Sequence, residues 1–76
     1  MFMKVKVKLF ATLRKDKFAE TYFVFNEAVR IIELVNHIGL DQKDIAIIFV
    51  NGKHSDFDLI LSDGDEVAFF PPIGGG

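Results

Sequence analysis

Cysteine and tryptophan are absent from the chain, and histidine and proline occur only twice each. Without cysteine, the protein can form neither a disulfide bond nor a cysteine-ligated metal site, and it has no thiol nucleophile. His37 and His54 stand far apart in the sequence without a second ligand at metal-binding spacing, so we expect no metal site. The absence of cysteine is compatible with the cytoplasm, where we expect this protein to reside.

Long apolar runs and clusters of catalytic side chains are also missing. The longest aliphatic and aromatic run, Ile45–Val50, is far too short to cross a bilayer. Ser55 and Ser62 have no base nearby in the sequence, and turn formation explains the aspartates between residues 56 and 65. We therefore expect no catalysis by the chain's own side chains, no bound cofactor and no membrane partner.

The net charge of −2 is unevenly spread, with +3 over residues 1–40 and −5 over residues 41–76. Lys4, Lys6 and Lys8 form a basic stripe, but a pI near 5.5 argues against a nucleic-acid partner. The acidic residues in the second half favour a protein partner whose contacting surface is basic. The alternative is a solvated acidic surface that binds no partner.

Three segments of the sequence follow strand patterns. In Met3–Leu9, apolar residues alternate with lysines, which predicts a half-buried strand. The β-branched and aromatic residues of Thr21–Phe25 predict a second strand, joined to the first as a hairpin. Glu66–Phe70 predicts a last strand, with Val67 and Phe69 in the core, and the prolines that follow it cannot donate to a sheet ladder.

One helical pattern lies between these strands. It consists of apolar residues at spacings of three and four: Ala28, Ile31, Leu34, Val35 and Ile38. This stripe predicts an amphipathic helix of about ten to thirteen residues. The helix starts at Asn26 as its N-cap, or nearer Arg30, and Gly39 is placed to end it.

Three short strands are predicted after the helix, and the last of them is Glu66–Phe70, described above. Residues 45–50 form the first, and Asn51-Gly52 predicts a tight type I′ turn into the second, at Lys53–Ser55. Leu59 and Leu61 are expected against the core. The order ββαβββ, with one helix to cover one sheet face, predicts a two-layer α+β domain.

This order and size suit the β-grasp, or ubiquitin-like, architecture, in which a mixed sheet of four to five strands packs on one main helix. The first and last strands are the best patterned, so we expect them side by side and parallel at the sheet centre. Residues 1–70 are predicted to form a single domain, and residues 71–76 an extended, flexible tail.

The final residues could carry chemistry. In a chain without a thiol or a carrier serine, the remaining covalent handle is the terminal carboxylate of Gly76, which ATP can activate as an adenylate. Gly74 and Gly75 lack a Cβ and let the walls of a partner's pocket approach the backbone. Pro71-Pro72, followed by Ile73, restricts the direction in which the tail leaves. These features predict a tail that inserts into another protein.

Three segments together resemble a known family: "KLFATLRK" (Lys8–Lys15), "VNGK" (Val50–Lys53) and "LSDGDEVAFFPPIGGG" (Leu61–Gly76). They are similar to MoaD, the small sulfur-carrier subunit of molybdopterin synthase, and more distantly to ThiS, the thiamine sulfur carrier. The resemblance covers nearly the whole chain from Val5 onward, and the segment after the first strand favours the MoaD type.

The resemblance implies that a MoeB-like enzyme uses ATP to adenylate Gly76, and that a desulfurase- or rhodanese-type donor supplies the sulfur for a thiocarboxylate. A MoaE-like large subunit then receives the tail and uses the sulfur to build the dithiolene of molybdopterin, in a complex of two carriers on a large-subunit dimer. Gly75 and Gly76 correspond to the reactive tail, with Pro71 and Pro72 as its support. Gly74 stands where the family often has another small residue.

The strand pattern adds a partner surface. Ala68 and Phe70 share the face of the last strand that lies beside the lysine stripe, and Phe10 lies near it. Buried aromatic side chains dominate protein interfaces, so Phe70 is a candidate anchor beside the tail. The alternative is that Phe70 only caps a small apolar cluster.

Other functions use the same features. A ubiquitin-like modifier would join its terminal glycine to lysines of target proteins. A sulfur carrier could instead serve thiamine, tRNA thiolation or a tungsten cofactor. A non-covalent β-grasp interaction module would have an inert tail. The sequence alone leaves these alternatives open.

Overall fold

Five strands form one mixed sheet with a helix on one side in the computed structural model, which describes residues 2–72. The elements are β1 (Met3–Leu9), β2 (Glu20–Phe25), α1 (Ile31–Ile38), β3 (Ile47–Val50), β4 (Lys53–Ser55) and β5 (Glu66–Phe70), with short 3-10 turns at Ala11–Arg14 and Gln42–Asp44. The spatial order is β2-β1-β5-β3-β4. This arrangement confirms the predicted β-grasp architecture.

The two central strands are parallel, as predicted. β1 and β5 pair with Val7 opposite Val67 and Leu9 opposite Phe69. All four side chains are completely buried. Each of these strands has a hydrogen-bonded neighbour on both sides, so their apolar faces lie at the middle of the sheet and pack against the helix.

The alternation predicted for β1 and β5 is confirmed. Val5, Val7 and Leu9 are buried, whereas the lysines between them are exposed or half-buried on the face without the helix. From the other side, Ile31 and Leu34 of α1 are completely buried against the sheet. The core therefore lies between the helix and one face of the sheet, and the opposite face is open to solvent.

The helix starts later than its apolar stripe predicted. α1 begins at Ile31 after an extended Arg30, which confirms the later of the two expected starts and leaves Ala28 exposed outside the helix. The carbonyl oxygen of Val29 accepts a hydrogen bond from the N–H of Leu61 at 2.8 Å. This pairing holds residues 29–30 in an extended form, so α1 has eight residues rather than the ten to thirteen expected.

The end of α1 follows the prediction. Gly39 has φ 90°, a left-handed conformation that glycine adopts without steric cost. Its N–H donates to the carbonyl oxygen of Val35 at 3.1 Å.

Among residues 2–72, no helix is long and apolar enough to span a bilayer.

The prediction that Leu59 packs in the core was wrong. Leu61 is 2% exposed, but Leu59 is 39% exposed. The carbonyl oxygen of Leu59 accepts a hydrogen bond from the N–H of Ile31 at 3.0 Å, and that of Phe57 accepts one from Ile32 at 3.0 Å. The segment before Leu61 thus satisfies the first N–H groups of the helix, and Phe57 packs against the core from it.

The hairpin between β3 and β4 has the predicted turn. Asn51 and Gly52 have φ values of 53° and 81°, so both central residues adopt the positive values of a type I′ turn. The antiparallel pairing of Phe49 with His54 and of Val50 with Lys53 confirms the short fourth strand.

Replacing Leu61 with alanine should destabilise the protein by about 2–5 kcal/mol, because a completely packed side chain is removed from the core. Leu59→Ala, at a partly exposed position in the same segment, should cost less than about 1 kcal/mol. Urea unfolding of the two variants checks this difference. Equal losses would contradict the inward and outward orientations of these leucines.

Candidate functional site

A stacked pair of phenylalanines lies where the last strand ends. The rings of Phe10 and Phe70 have centroids 4.4 Å apart and planes inclined by 9°. Parallel pairing brings them together, because Leu9 lies opposite Phe69 and the next residue of each strand follows in the same direction. The predicted proximity of Phe10 and Phe70 on the open face is therefore confirmed.

The stack continues across the sheet as a row of rings. Phe49 meets Phe70 edge to face, with centroids 5.8 Å apart, and His54 meets Phe49 in the same way at 5.9 Å. Ala68 lies opposite Phe49 in the ladder between β3 and β5. Phe10, Phe70, Phe49 and His54, which we call the aromatic row, occupy the open face with this small residue among them.

The sequence interpretation missed Phe49, because nearly every residue from Ile45 to Val50 is apolar and the run shows no alternation. The signal that could have found it is the turn at Asn51-Gly52. A type I′ hairpin folds β4 back along β3 and so places Phe49 beside His54.

Arg14 supports the Phe10 end of the row and was also missed. Its Nε–H donates to the carbonyl oxygen of Leu9 at 2.7 Å. Its guanidinium carbon lies 5.6 Å from the centre of the Phe10 ring, within cation–π range. This arginine ties the 3-10 turn back onto the end of β1 and limits the movement of Phe10.

The sheet pairing of the last strand ends at Phe70. The carbonyl oxygen of Phe69 accepts a hydrogen bond from the N–H of Phe10 at 3.3 Å, and that of Phe70 accepts one from Ala46 at 2.8 Å. Pro71 follows without an N–H to donate. The chain therefore leaves the sheet beside the stacked rings, after its last two paired residues have each been held from one side.

Pro71 is half-buried and Pro72 is exposed. Both line a surface groove that also includes Lys15 and Asp41, between the first 3-10 turn and the end of the helix. Ile73, Gly74, Gly75 and Gly76 lie outside the described residues. Their predicted role as an inserting, reactive tail therefore stays a prediction.

Two of the three lysines in the stripe form ion pairs with carboxylates. Lys6 lies 3.1 Å from Glu20, and Lys8 lies 3.4 Å from Glu66. The hydrogen bond to Glu20 raises the pKa of Lys6 above its ordinary value. Lys4 instead places its Nζ 4.5 Å from the centre of the Tyr22 ring. The open face is thus charged but close to balanced along β1, and apolar along the aromatic row.

A small hydrogen-bond network fixes the start of β5. The side-chain amide of Asn51 donates to Asp65 Oδ1 at 2.9 Å, and its oxygen accepts from the N–H of Glu66 at 2.9 Å. The other Asp65 oxygen accepts from the N–H of Ser62 at 2.8 Å. The sequence assigned these residues to separate turns, but their side chains join the two turns to each other.

The histidines have aromatic rather than metal-like surroundings. His37 lies edge-on to Phe23 and Phe25, with centroids 5.5 and 5.3 Å apart. His54 belongs to the aromatic row. Within residues 2–72, no group of three histidine or acidic side chains comes together as metal ligands do.

The central parallel pair, the single covering helix and the strand that ends beside the stacked rings define a ubiquitin-like β-grasp domain. The sequence profile described as the ThiS family matches residues 7–76. The chain belongs to this family, which groups ThiS and MoaD proteins.

Solved structures agree with this placement. The chain is 33% identical to the "putative molybdopterin converting factor, subunit 1" of Pyrococcus furiosus, with a TM-score of 0.73 and coverage of 93% of this chain and 99% of the other. SAMP1 from Haloferax volcanii has the same fold at 22% identity, with a TM-score of 0.74 and coverage of 96% and 99%.

A third structure is a "protein-protein complex of subunit 1 and 2 of Molybdopterin-converting factor" from Helicobacter pylori. It has a TM-score of 0.67 at 22% identity, and the match covers 97% of this chain and 100% of that one. No protein with a curated functional description matches the sequence significantly.

The Asn51–Asp65 network should contribute measurably to stability. Replacing Asp65 with alanine leaves the Ser62 N–H and the Asn51 amide without their acceptor, and we expect a loss of about 1–2 kcal/mol. Asp58→Ala is the matched control, because the Asp58 side chain lies on the exposed surface. Thermal unfolding checks both variants, and an Asp65→Ala protein as stable as the control would contradict the network's role.

Proposed function

We propose that this protein is a sulfur carrier that acts as the small subunit of a molybdopterin synthase. The observation that carries the proposal is the position of Phe70, the last paired residue of a central strand, beside an aromatic surface. Six residues follow it in the sequence, and fully extended they would reach at most about 20 Å. That length suits insertion into a partner while the domain itself stays outside.

The family match supports the chemistry proposed for Gly76, since the ThiS profile extends to this residue. In the proposed reaction, a Gly76 carboxylate oxygen attacks the α-phosphorus of ATP on a MoeB-like enzyme, and pyrophosphate leaves. A persulfide sulfur on a desulfurase- or rhodanese-type donor then displaces AMP from the acyl carbon and forms an acyl disulfide. A reducing thiol attacks the donor's own sulfur in that bond, forms a disulfide with the donor, and leaves the transferred sulfur on Gly76. The product is a thiocarboxylate, and the dependence on ATP supports a cytoplasmic location.

The domain's own contribution is to hold and present the tail. We assign partner binding to Phe10, Ala68 and Phe70, because they form an apolar surface at the point where the tail begins. We propose a MoaE-like large subunit as the partner that takes up the tail. The identity with the Pyrococcus protein supports this choice, and so does the Helicobacter structure, in which subunit 1 is in complex with subunit 2.

A second candidate is a ubiquitin-like protein modifier. The likeness to SAMP1 of Methanosarcina acetivorans, named a "small archaeal modifier protein" and 25% identical over the whole chain, favours it. Both candidates begin with adenylation of Gly76, and they differ in the acceptor. A modifier forms amide bonds with lysines of other proteins, whereas a sulfur carrier gives up sulfur and regains its carboxylate.

Incubation with ATP, a MoeB-like enzyme, a sulfur donor and a thiol reductant should replace one terminal oxygen by sulfur, which intact-mass spectrometry detects directly. A chain lacking Gly75 and Gly76, which no longer ends in a pair of glycines, is the control and should keep its mass. If the full chain remains unchanged while an established carrier is converted by the same enzymes, the proposal fails. A ladder of higher-mass conjugates that depends on Gly76 would instead support the modifier.

Replacing Phe70 with serine should weaken binding to a MoaE-like subunit from the same genome by about tenfold or more, because an aromatic anchor is lost. Val24→Ser, an exposed apolar residue on the same face but at the edge of the sheet, should change affinity by less than about twofold. Isothermal titration calorimetry measures both. Equal effects of the two substitutions would place the contact away from the aromatic row.

A further inference from the structure

One asparagine of the chain stands directly before a glycine. Of the three asparagines, Asn26, Asn36 and Asn51, only Asn51 has this neighbour. Asparagine is thermolabile, because a backbone nitrogen can displace its side-chain amide. A glycine on the C-terminal side has no side chain to obstruct that attack. Asn51 is therefore the asparagine whose sequence neighbour leaves it most open to loss of the amide.

The reaction starts at the backbone nitrogen of Gly52. This nitrogen attacks the side-chain carbonyl carbon, Cγ, of Asn51 and forms an N–Cγ bond, while the bond from Cγ to the amide nitrogen breaks. The proton of the Gly52 N–H passes to the departing amide, which leaves as ammonia. Water then opens the cyclic imide. Opening at Cγ gives aspartate, and opening at the backbone carbonyl carbon gives isoaspartate.

The attacking nitrogen is accessible in the structure. Gly52 is exposed at the tip of the type I′ turn. The hydrogen bond of such a turn joins the flanking residues, Val50 and Lys53, and so leaves the Gly52 N–H unused by the turn. A Cβ atom placed on Gly52 would meet no other atom within 4 Å. Any restraint on the reaction must therefore come from the Asn51 side chain.

Three hydrogen bonds hold Asn51 to the start of β5. Its N–H donates to the carbonyl oxygen of Glu66 at 2.8 Å. Its side-chain oxygen accepts from the N–H of Glu66 at 2.9 Å, and its side-chain amide donates to Asp65 Oδ1 at 2.9 Å. Ring closure draws Cγ toward the Gly52 nitrogen and so moves both side-chain atoms away from β5. The departing amide is also the group that Asp65 holds.

Asp65 is itself fixed in place. Its second oxygen, Oδ2, accepts from the N–H of Ser62 at 2.8 Å, and its own N–H donates to the carbonyl oxygen of Ser62 at 3.1 Å. The residue is half-buried, whereas Asn51 is exposed. The acceptor for the Asn51 amide is thus a positioned carboxylate, and water reaches the asparagine that it restrains.

We propose that Asn51 is a spontaneous deamidation site, and that Asp65 and Glu66 suppress the reaction as long as β5 is paired with β3. The protection is local, because it comes from hydrogen bonds to two residues at the start of β5 and not from burial of Asn51. The proposal is independent of the sulfur-carrier function, since it concerns the opposite end of β5 from the tail.

The reaction would destroy the contact that restrains it. In the aspartate product, a carboxylate oxygen replaces the amide nitrogen that lay 2.9 Å from Asp65 Oδ1, so two negative charges face each other. In the isoaspartate product, the backbone gains one carbon atom within a tight turn, and the pairing of Val50 with Lys53 loses its geometry. Either product loosens β5 from the hairpin.

The site is tested by incubating the folded chain and the urea-unfolded chain at one pH and temperature. In the unfolded chain, the peptide that contains Asn51 should gain the mass difference between an oxygen atom and an NH group, which peptide mapping by mass spectrometry detects. The folded chain should react about a hundredfold more slowly, because two side-chain hydrogen bonds must break first. Equal rates overturn the proposal, as does faster reaction at Asn26 or Asn36 than at Asn51.

Replacing Asp65 with alanine should speed the reaction of the folded chain by about tenfold, because a hydrogen bond to a charged group is lost. Ile31→Val is the matched control. It removes one methyl group from a completely buried position, lowers the global stability to a similar extent and leaves the network intact. It should react within about twofold of the wild type, since the opening is local. Circular dichroism verifies that both variants are folded, and equal acceleration in the two contradicts local protection.

Replacing Asn51 with aspartate reproduces one product. This variant should melt at a lower temperature than the wild type at neutral pH, because like charges then face each other. Adding Asp65→Asn should recover part of the loss, since the new amide can donate to the aspartate while its oxygen accepts from Ser62. An Asn51→Asp chain that melts together with the wild type, or a second substitution that recovers nothing, refutes the consequence drawn for the product.

Discussion

The parallel pairing of β1 with β5 is the constraint on which the rest of the molecule depends. It joins the start of the chain to its last described strand and buries Val7, Leu9, Val67 and Phe69 in one layer. Because the two strands run in the same direction, the residues that leave them emerge side by side. The stack of Phe10 on Phe70 and the exit point of the tail both follow from this register.

Two sets of hydrogen bonds fix that register, one at each end of β5. At its start, Asn51 and Asp65 connect the hairpin turn to the loop before the strand. At its end, Ala46 and Phe10 hold the last two carbonyl groups. A domain that presents a reactive terminus gains from a rigid origin, since movement at the base of a tail would enlarge the volume that its tip must search. In the proposed carrier function, the reacting group at Gly76 and the rigid scaffold are separate parts of the chain.

Local patterns predicted the elements that have one buried face and one face exposed to solvent. The alternation of lysines with apolar residues predicts β1, and the conformational freedom of Gly39 predicts the end of the helix. The helix start was not predictable locally, because a contact between Val29 and Leu61 holds the preceding residues extended. The sheet face on which Phe49 lies was not predictable, because apolar and polar residues do not alternate between residues 45 and 50. Leu59 points outward because its carbonyl group caps the helix, which is a tertiary requirement.

The same register also orders the events of biosynthesis. β5 lies between β1 and β3, yet the ribosome makes it after both of them, so the sheet cannot close until Glu66–Phe70 has left the exit tunnel. A chain cut short before this strand lacks the centre of its sheet and exposes its apolar face to the cell's proteases. Completion of the sheet therefore requires β5, and residues 71–76 follow that strand directly in the chain.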